Sequence, residues 1–330
     1  MQKKVKWGII GYARIAKNEV IPAILRTEDA QLYAIASEDL NKREECQKSY
    51  SGVKVYNQYE ELLDDTEIDA VYLPLPNSLH KEWAIKAMKR GKHVLCEKPI
   101  ALNAADCLEM IQVAQAEGIM LMEAFMYRYT DRIQKVCEIL ASKEIGSVKF
   151  IHSTFRFLLN RPNTIKVRSE LGGGSLYDVG CYPVNFAGMI TNEIPESCQS
   201  ECVVENGVDI IFSAVLKYPS GIMASINCGF NAFNQMSSEI VGTKGRIEIS
   251  DTFLGTKGII TIVTDEGSRQ VVVDDSDRYA LEVADFTNSI LQKQRPYLSL
   301  DESYRNMQVM DMLFQSISKS NPIDYIQEKA

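Results

Sequence analysis

The sequence predicts an α/β chain: an N-terminal doubly wound parallel sheet over residues 1–125, then an α+β domain over 126–330 built on a large, mostly antiparallel open sheet. Three observations predict it. Up to residue 125, short apolar runs alternate with helix-length segments, a glycine-bearing turn joins the first run to the first helix, and beyond residue 148 the turn signals become those of β-hairpins.

In order, 5–10 reads as a buried strand, 14–26 as a helix, 31–37 as a second strand, and 40–50 as a helix closed by Gly52. A strand at 53–55, a helix at 58–63 and a strand at 69–73 follow. The helix expected from about Ser78 to Arg90 carries Lys89 and Arg90 in its last turn and stops at Gly91. Residues 93–96 form a strand, 103–117 a helix capped by Asn103 with Gly118 just past its end, and 119–123 a strand. A helix at 130–141 leads to a long strand at 148–157. Hairpin turns are expected at Asn206-Gly207, at 218–221 and at 242–245. Residues 222–228 alternate, with Ile222, Ala224, Ile226 and Cys228 on one face, and helices fall near 176–190, 277–292 and 301–318. One broad face of this sheet lacks cover, which points to self-association.

With 330 residues, 45% apolar and 24% charged, the chain is long enough for two domains with real cores. The net charge of −8, with no basic block, argues against nucleic acid and against an anionic membrane surface as partners. No apolar run nears the length of a membrane span. The first apolar run is broken by Lys6 and followed by Arg14, too charged for a signal-peptide core, so a cytoplasmic protein is expected. Eight cysteines without a C-x-x-C and only three histidines, at 80, 93 and 152, give no metal-ligand spacing; reduced core thiols are expected and no metal.

The chemistry gathers at the carboxyl ends of the first sheet's strands, where open parallel sheets bind ligands. Gly11, Ala13 and Ala16 occupy the places of a G-x-G-x-x-G/A dinucleotide fingerprint, with alanine replacing the middle glycine. Glu38 lies 22 residues beyond Ala16, placed to accept from ribose hydroxyls. At the end of the 69–73 strand, Pro74 and Pro76 stop the strand, Asn77 or Ser78 caps the next helix, and His80 in its first turn points to the cleft. Glu97-Lys98-Pro99 ends another strand; Pro99 removes a backbone donor and leaves Lys98 at the sheet rim. In the second half, Gly172-Gly173-Gly174 opens a helix on which Asp178 and Tyr182, four apart, share a face, and the glycines permit close approach of a ligand. The loop 160–168, with Arg161, Lys166 and Arg168, offers cations on the substrate side.

Together, Gly11 to Ala16, Glu97-Lys98-Pro99, Glu123-Ala124-x-x-x-Arg128 and Gly173-Gly174-x-x-x-Asp178-x-Gly180-x-Tyr182 resemble the glucose–fructose oxidoreductase / inositol dehydrogenase (Gfo/Idh/MocA) family of nicotinamide-dependent enzymes. The likeness runs through the whole chain. Tyr182 stands where inositol-dehydrogenase-like members carry histidine, which sets the chain nearer the dihydrodiol dehydrogenase and xylose dehydrogenase branch. The resemblance implies a Rossmann domain, a homodimer or dimer of dimers through the open sheet, and sugar, polyol or related diol substrates. It implies hydride exchange between NAD(P) and a carbinol or carbonyl carbon, with Lys98, Asp178 and Tyr182 catalytic. Tyr182 moves the hydroxyl proton, and a neighbouring Lys98 ammonium would draw the phenol pKa down towards neutrality. The cofactor-binding set expected is Gly11, Ala13, Arg14, Ile15, Ser37, Glu38, Pro76, Asn77, His80, Glu97, Lys98 and Arg128. Glu38 in place of a basic residue favours NAD over NADP. The competing class is a non-catalytic NAD(P)-binding sensor or regulator, which needs the Gly11 turn but no acid/base set.

Overall fold

The computed structural model describes residues 4–161 and 164–317. Six strands, β1 (Val5–Ile10), β2 (Ala30–Ala36), β3 (Lys54–Tyr56), β4 (Ala70–Leu73), β5 (His93–Glu97) and β6 (Leu121–Ala124), form one sheet in the order 3-2-1-4-5-6, every pair parallel. Helices cover both faces, so all four side chains of β4 and the middle of β5 are buried. The helices are α1 (Ile21–Arg26), entered through a π-helical turn (Ala16–Val20), α2 (Leu40–Ser49), α3 (Tyr59–Asp64), α4 (His80–Met88) and α5 (Ala104–Glu117). Asp39 caps α2 by accepting from Asn41 N at 2.9 Å, and Asn103 caps α5 by accepting from Asp106 N at 2.8 Å. One start differs from expectation. Residues Asn77–Leu79 take a tighter 3₁₀ turn, so α4 begins at His80 with Leu79 as its N-cap, and neither Asn77 nor Ser78 caps it.

The second sheet has nine strands: β7 (Val148–Leu158), β8 (Ser197–Glu205), β9 (Val208–Lys217), β10 (Met223–Gly229), β11 (Asn231–Gln235), β12 (Ser238–Gly242), β13 (Gly245–Ile249), β14 (Gly258–Thr264) and β15 (Gly267–Val273). Their order is 15-14-13-12-7-10-9-8, with β11 added on β7; the β7–β10 pair is parallel and the others are antiparallel. Asn206 and Gly207 both have positive φ, 51° and 79°, as a two-residue hairpin turn between β8 and β9 requires. Along β10, Ala224, Ile226 and Cys228 are buried while Met223, Ser225 and Asn227 are half-exposed, as the alternation predicts.

Four helices complete the chain: α6 (Asp131–Ser142), α7 (Cys181–Thr191), entered through a second π-helical turn (Leu176–Gly180), α8 (Arg278–Gln292) and α9 (Leu300–Ile317). The last two cross the expected division of the chain. The Phe286 ring of α8 packs 5.7 Å from Trp7 in β1, and Trp7 Nε1 donates to Thr287 Oγ1. In α9, Asp311 accepts from Ala104 N at the start of α5. These contacts tie the last two helices to the first sheet and to the start of α5.

Candidate functional site

The strand order of the first sheet reverses between β1 and β4, and such a switch point opens a crevice at the strands' carboxyl ends. On one side of it, Gly11 follows β1 with φ 94°, a left-handed conformation that favours glycine. A Cβ at Gly11 would sit 2.8 Å from Leu75 Cδ2 and 3.7 Å from Tyr59 Oη. The helix start at Ala13, Arg14 and Ile15 comes next, with Arg14 exposed. Beyond β2, Ser37 is buried and Glu38 exposed; burial, then the nearby Glu38 charge, raise the Tyr59 pKa. A helix N-terminus behind a left-handed glycine, with a carboxylate past the second strand, fits a dinucleotide's pyrophosphate and ribose.

On the other side stands the cluster that the second domain completes. Lys98 Nζ donates to the Asp178 backbone oxygen at 2.7 Å, lies 3.6 Å from Asp178 Oδ1 and sits 5.0 Å above the Tyr182 ring centre. The structure therefore brings the three expected residues together, from positions 80 and more residues apart. Lys166, in a 3₁₀ turn (Ile165–Val167), donates to Asp178 Oδ2, so both carboxylate oxygens face ammonium groups. The 160–168 loop thus places one of its cations in the cluster, while Pro162 and Asn163 lie outside the described residues. Burial alone would raise the Asp178 pKa, but the charges of Lys166 and Lys98 hold it below the usual carboxylate value. Burial works against the Lys98 ammonium, yet Asp178 and Glu97 outweigh it and its pKa is raised.

Tyr182 departs from expectation. The residue is 5% exposed and its ring is packed among Phe125, Tyr127, Phe155 and Phe253 at centroid distances of 5.3 to 5.7 Å. Its hydroxyl faces Met126 Sδ at 3.6 Å. Lys98 stands over the ring face and not at the hydroxyl, and burial pushes the phenol pKa well above its usual value. The phenol is held neutral, the reverse of the lowering that a lysine at the hydroxyl would produce.

Five other residues of the expected set make contacts within the protein. The His80 ring is fully buried, with Nδ1 2.8 Å from the Pro99 oxygen and Nε2 2.9 Å from the Leu75 oxygen, so neither nitrogen is turned to the cleft. Asn77 Nδ2 donates to the Gly172 oxygen at 2.8 Å and ties the two domains together. Arg128 is buried, donates to Glu302 Oε1 at 3.0 Å and lies 5.4 Å from the Tyr297 ring centre. Pro76 starts the 3₁₀ turn at 77–79, accepting from Leu79 N. Glu97 accepts from Tyr72 Oη at 2.5 Å and from its neighbour Lys98 N at 3.3 Å.

The three glycines at 172–174 make room for the chain itself. A Cβ at Gly172 would meet Leu102 Cδ2 at 2.6 Å, one at Gly173 the Lys166 and Arg168 oxygens at 2.7 and 2.8 Å, and one at Gly174 the Asp209 Oδ1 atom. Sequence reasoning missed Asp209, which accepts from Ser175 Oγ at 2.6 Å and Leu176 N at 2.7 Å and caps the turn that delivers Asp178. It also left Glu123 without a role. The signal there was a carboxylate inside an apolar strand, since such a residue is seldom buried without a task.

This doubly wound domain, joined to a cleft with a lysine, a carboxylate and a phenol at the sheet rim, belongs to an NAD(P)-dependent oxidoreductase. Residues 5–125 match the oxidoreductase family with an NAD-binding Rossmann fold, and residues 133–248 match the GFO/IDH/MocA C-terminal domain. The chain belongs to the GFO/IDH/MocA family. It is 33% identical over 315 residues to D-xylose 1-dehydrogenase (NADP(+)) 2 of Haloferax volcanii, covering 94% of this chain and 96% of that protein. It is 32% identical over 329 residues to trans-1,2-dihydrobenzene-1,2-diol dehydrogenase of Xenopus tropicalis, covering 96% and 99%. A 3-ketoreductase from Actinomadura kijaniata, solved with NADP and TDP-benzene, superposes with a TM-score of 0.90 at 26% identity, over 95% of this chain and 98% of that one. Among the described residues no helix is long and apolar enough to cross a membrane, and no group of three or more His, Cys, Asp or Glu could hold a metal ion.

Proposed function

We propose that the chain moves a hydride between NAD(P) and a carbinol or carbonyl carbon of a sugar, polyol or related trans-diol, with Tyr182 as acid/base, Lys98 assisting it and Asp178 orienting substrate and lysine. The observation that carries this reading is the meeting of Lys98 with Asp178 and the face of Tyr182 across the domain boundary. Relatives named for xylose, a dihydrodiol and a keto group support a hydroxylated or carbonyl substrate. When bound, the nicotinamide supplies or accepts the hydride. The backbone of residues 11–15 holds the pyrophosphate, Ser37 and Glu38 meet the ribose, and Pro76, Glu97 and Lys98 line the way to the reacting carbon. A neutral phenol can give its proton to the oxygen of a carbonyl that is being reduced. In the oxidative direction, the ammonium over the ring face lowers the energy of the phenolate. A panel of aldoses, polyols and the corresponding ketones, with NAD(H) and NADP(H), tests the reading through the ultraviolet absorbance of the reduced nicotinamide. No change with any member sinks it.

The reading includes a homodimer, or a dimer of dimers, formed through the second sheet. Strand register places Phe150, Val215, Ile211 and Val203 on one outer face, and they are 47%, 44%, 38% and 48% exposed. Light scattering of the wild type and of Val215→Lys checks it; a wild-type monomer would refute it. The cytoplasm is the compartment that suits eight free cysteines.

A further inference from the structure

Two lysines hold Asp178, and they hold it at different ends. Lys98 donates to the Asp178 backbone oxygen at 2.7 Å, while its Nζ stands 3.6 Å from Oδ1, too far for a hydrogen bond. Lys166 donates to the side chain, at Oδ2, and its ammonium lies 5.6 Å from the Phe157 ring centre. The side chains of Lys98 and Asp178 are 13% and 17% exposed and that of Lys166 is 32% exposed, so Lys166 is the outermost of the three.

The main chain of Lys166 is fixed apart from its side chain. Its carbonyl accepts from Gly174 N at 2.8 Å, and its N–H donates to Thr164 Oγ1 at 3.5 Å. A turn locked to the glycine run therefore carries the ammonium to Asp178, and changing the side chain leaves that lock in place. The titratable groups facing Asp178 are Lys166 from this turn, Lys98 and Glu97 from the end of β5, Cys181 and Tyr182 from α7, and Cys228 from β10. The two lysines are the cations among them. A carboxylate accepts at either oxygen, and an ammonium with one bond made has two donors left. Without a partner at Oδ2, the short step from 3.6 Å to a charge-assisted hydrogen bond would draw Asp178 and Lys98 together.

We propose that Lys166 is a positioning residue for Asp178: by holding Oδ2 it keeps the carboxylate from closing on Lys98, leaves Oδ1 to accept from a substrate hydroxyl, and leaves Lys98 over the Tyr182 ring. The proposal rests on the roles given to Asp178, Lys98 and Tyr182 in the reading above. Reach and charge are both needed at 166. Methionine keeps much of the length without the donor or the charge, and arginine keeps donor and charge.

Carboxyl carbon NMR of the full-length protein, without cofactor, reads the contact. The Asp178 resonance, assigned by its loss in Asp178→Asn, should titrate with a midpoint about one pH unit higher in Lys166→Met than in the wild type, and at the wild-type midpoint in Lys166→Arg. Turnover of the best aldose or polyol of the panel reads the consequence. Lys166→Met should lower kcat about tenfold with an unchanged thermal unfolding midpoint, and Lys166→Arg should restore most of it. An unmoved NMR midpoint in Lys166→Met, or a loss of turnover as large in Lys166→Arg as in Lys166→Met, overturns the proposal. If no panel member turns over in the wild type, or Asp178→Asn turns over normally, the functional reading fails instead, and the NMR midpoint alone decides whether Lys166 holds the carboxylate.

Discussion

Two glycine turns open helices in this molecule, and they do opposite things with the space. At Gly11 the φ of 94° demands glycine, while the nearest neighbour of a Cβ is the flexible end of Leu75. At Gly172, Gly173 and Gly174 the places of the missing side chains are filled by the Rossmann rim, by two loop carbonyls and by Asp209. Gly173 N and Gly174 N are also spent, donating to the Arg168 and Lys166 oxygens at 3.0 and 2.8 Å. A glycine-rich approach signals close contact in both turns. Under the proposed function the partner would be a cofactor in one, while in the other it is the protein's own chain, so the second turn would serve a substrate only by setting Lys166, Asp178 and Tyr182 in place.

The widest split between the two sides should come from their chemistry. Tyr182→Phe and Lys98→Ala are each expected to lower kcat at least about a hundredfold while the fold, measured by thermal unfolding, stays intact. Near-normal turnover in either variant removes the acid/base role. Gly173→Ala comes next. Its methyl group meets backbone oxygens that cannot swing aside, so a loss of about 1–3 kcal/mol of stability and about a tenfold lower kcat should appear together in thermal unfolding and steady-state assays. Gly11→Ala is the counterpart on the cofactor side. The left-handed φ costs about 1–2 kcal/mol, and the effect should fall on the KM for NAD(P), about tenfold, with kcat nearly kept. If both alanine variants change the same parameter, the two turns do not divide the work as described.

Much of this was legible in the sequence because it is written in local pattern. Strands buried on both faces read as apolar runs, and the caps Asn103 and Gly118 mark their helix ends. Lys98, Asp178 and Tyr182 could be named from their motifs. What could not be read was every choice made between distant residues. Arg128 pairs with Glu302, 174 positions on, and Asn77 with Gly172, 95 positions on. Nothing near either residue in sequence announces its partner. His80 was expected at the cleft because its helix begins there, yet two backbone carbonyls from separate loops take both its nitrogens. The Tyr182 pKa followed the same rule. The motif promises a lysine nearby, but whether the ammonium meets the hydroxyl or the ring face depends on how Phe125, Phe155 and Phe253 pack around the ring.

Cofactor choice draws the finest distinction within the Gly11 side, and its effect should be the smallest. Glu38 is exposed just past β2, near Tyr59, whose hydroxyl would lie 3.7 Å from a Cβ at Gly11, so the carboxylate stands beside the turn. A carboxylate there accepts from both ribose hydroxyls of NAD but meets like charge in the 2′-phosphate of NADP. At about 4 Å and an effective dielectric near 20, each unit pair costs on the order of 4 kcal/mol, and exposure to salt and water leaves only part of that. An opposing group is close by, since Arg43 Nη1 donates to the Ser37 oxygen at 2.8 Å and brings a guanidinium to the same rim. The two charges predict opposite preferences, and we expect Glu38, whose carboxylate is not engaged in a hydrogen bond to the backbone there, to prevail in favour of NAD. Glu38→Arg should then move the kcat/KM ratio of NADP over NAD up by about tenfold, or about 1.4 kcal/mol. Arg43→Ala should lower that ratio while leaving the use of NAD nearly unchanged. A wild type that already prefers NADP, as the named cofactors of the xylose dehydrogenase and the ketoreductase would suggest, together with a ratio unmoved by Glu38→Arg, would assign the ribose end of the cleft to Arg43 and Ser37 and take it from Glu38.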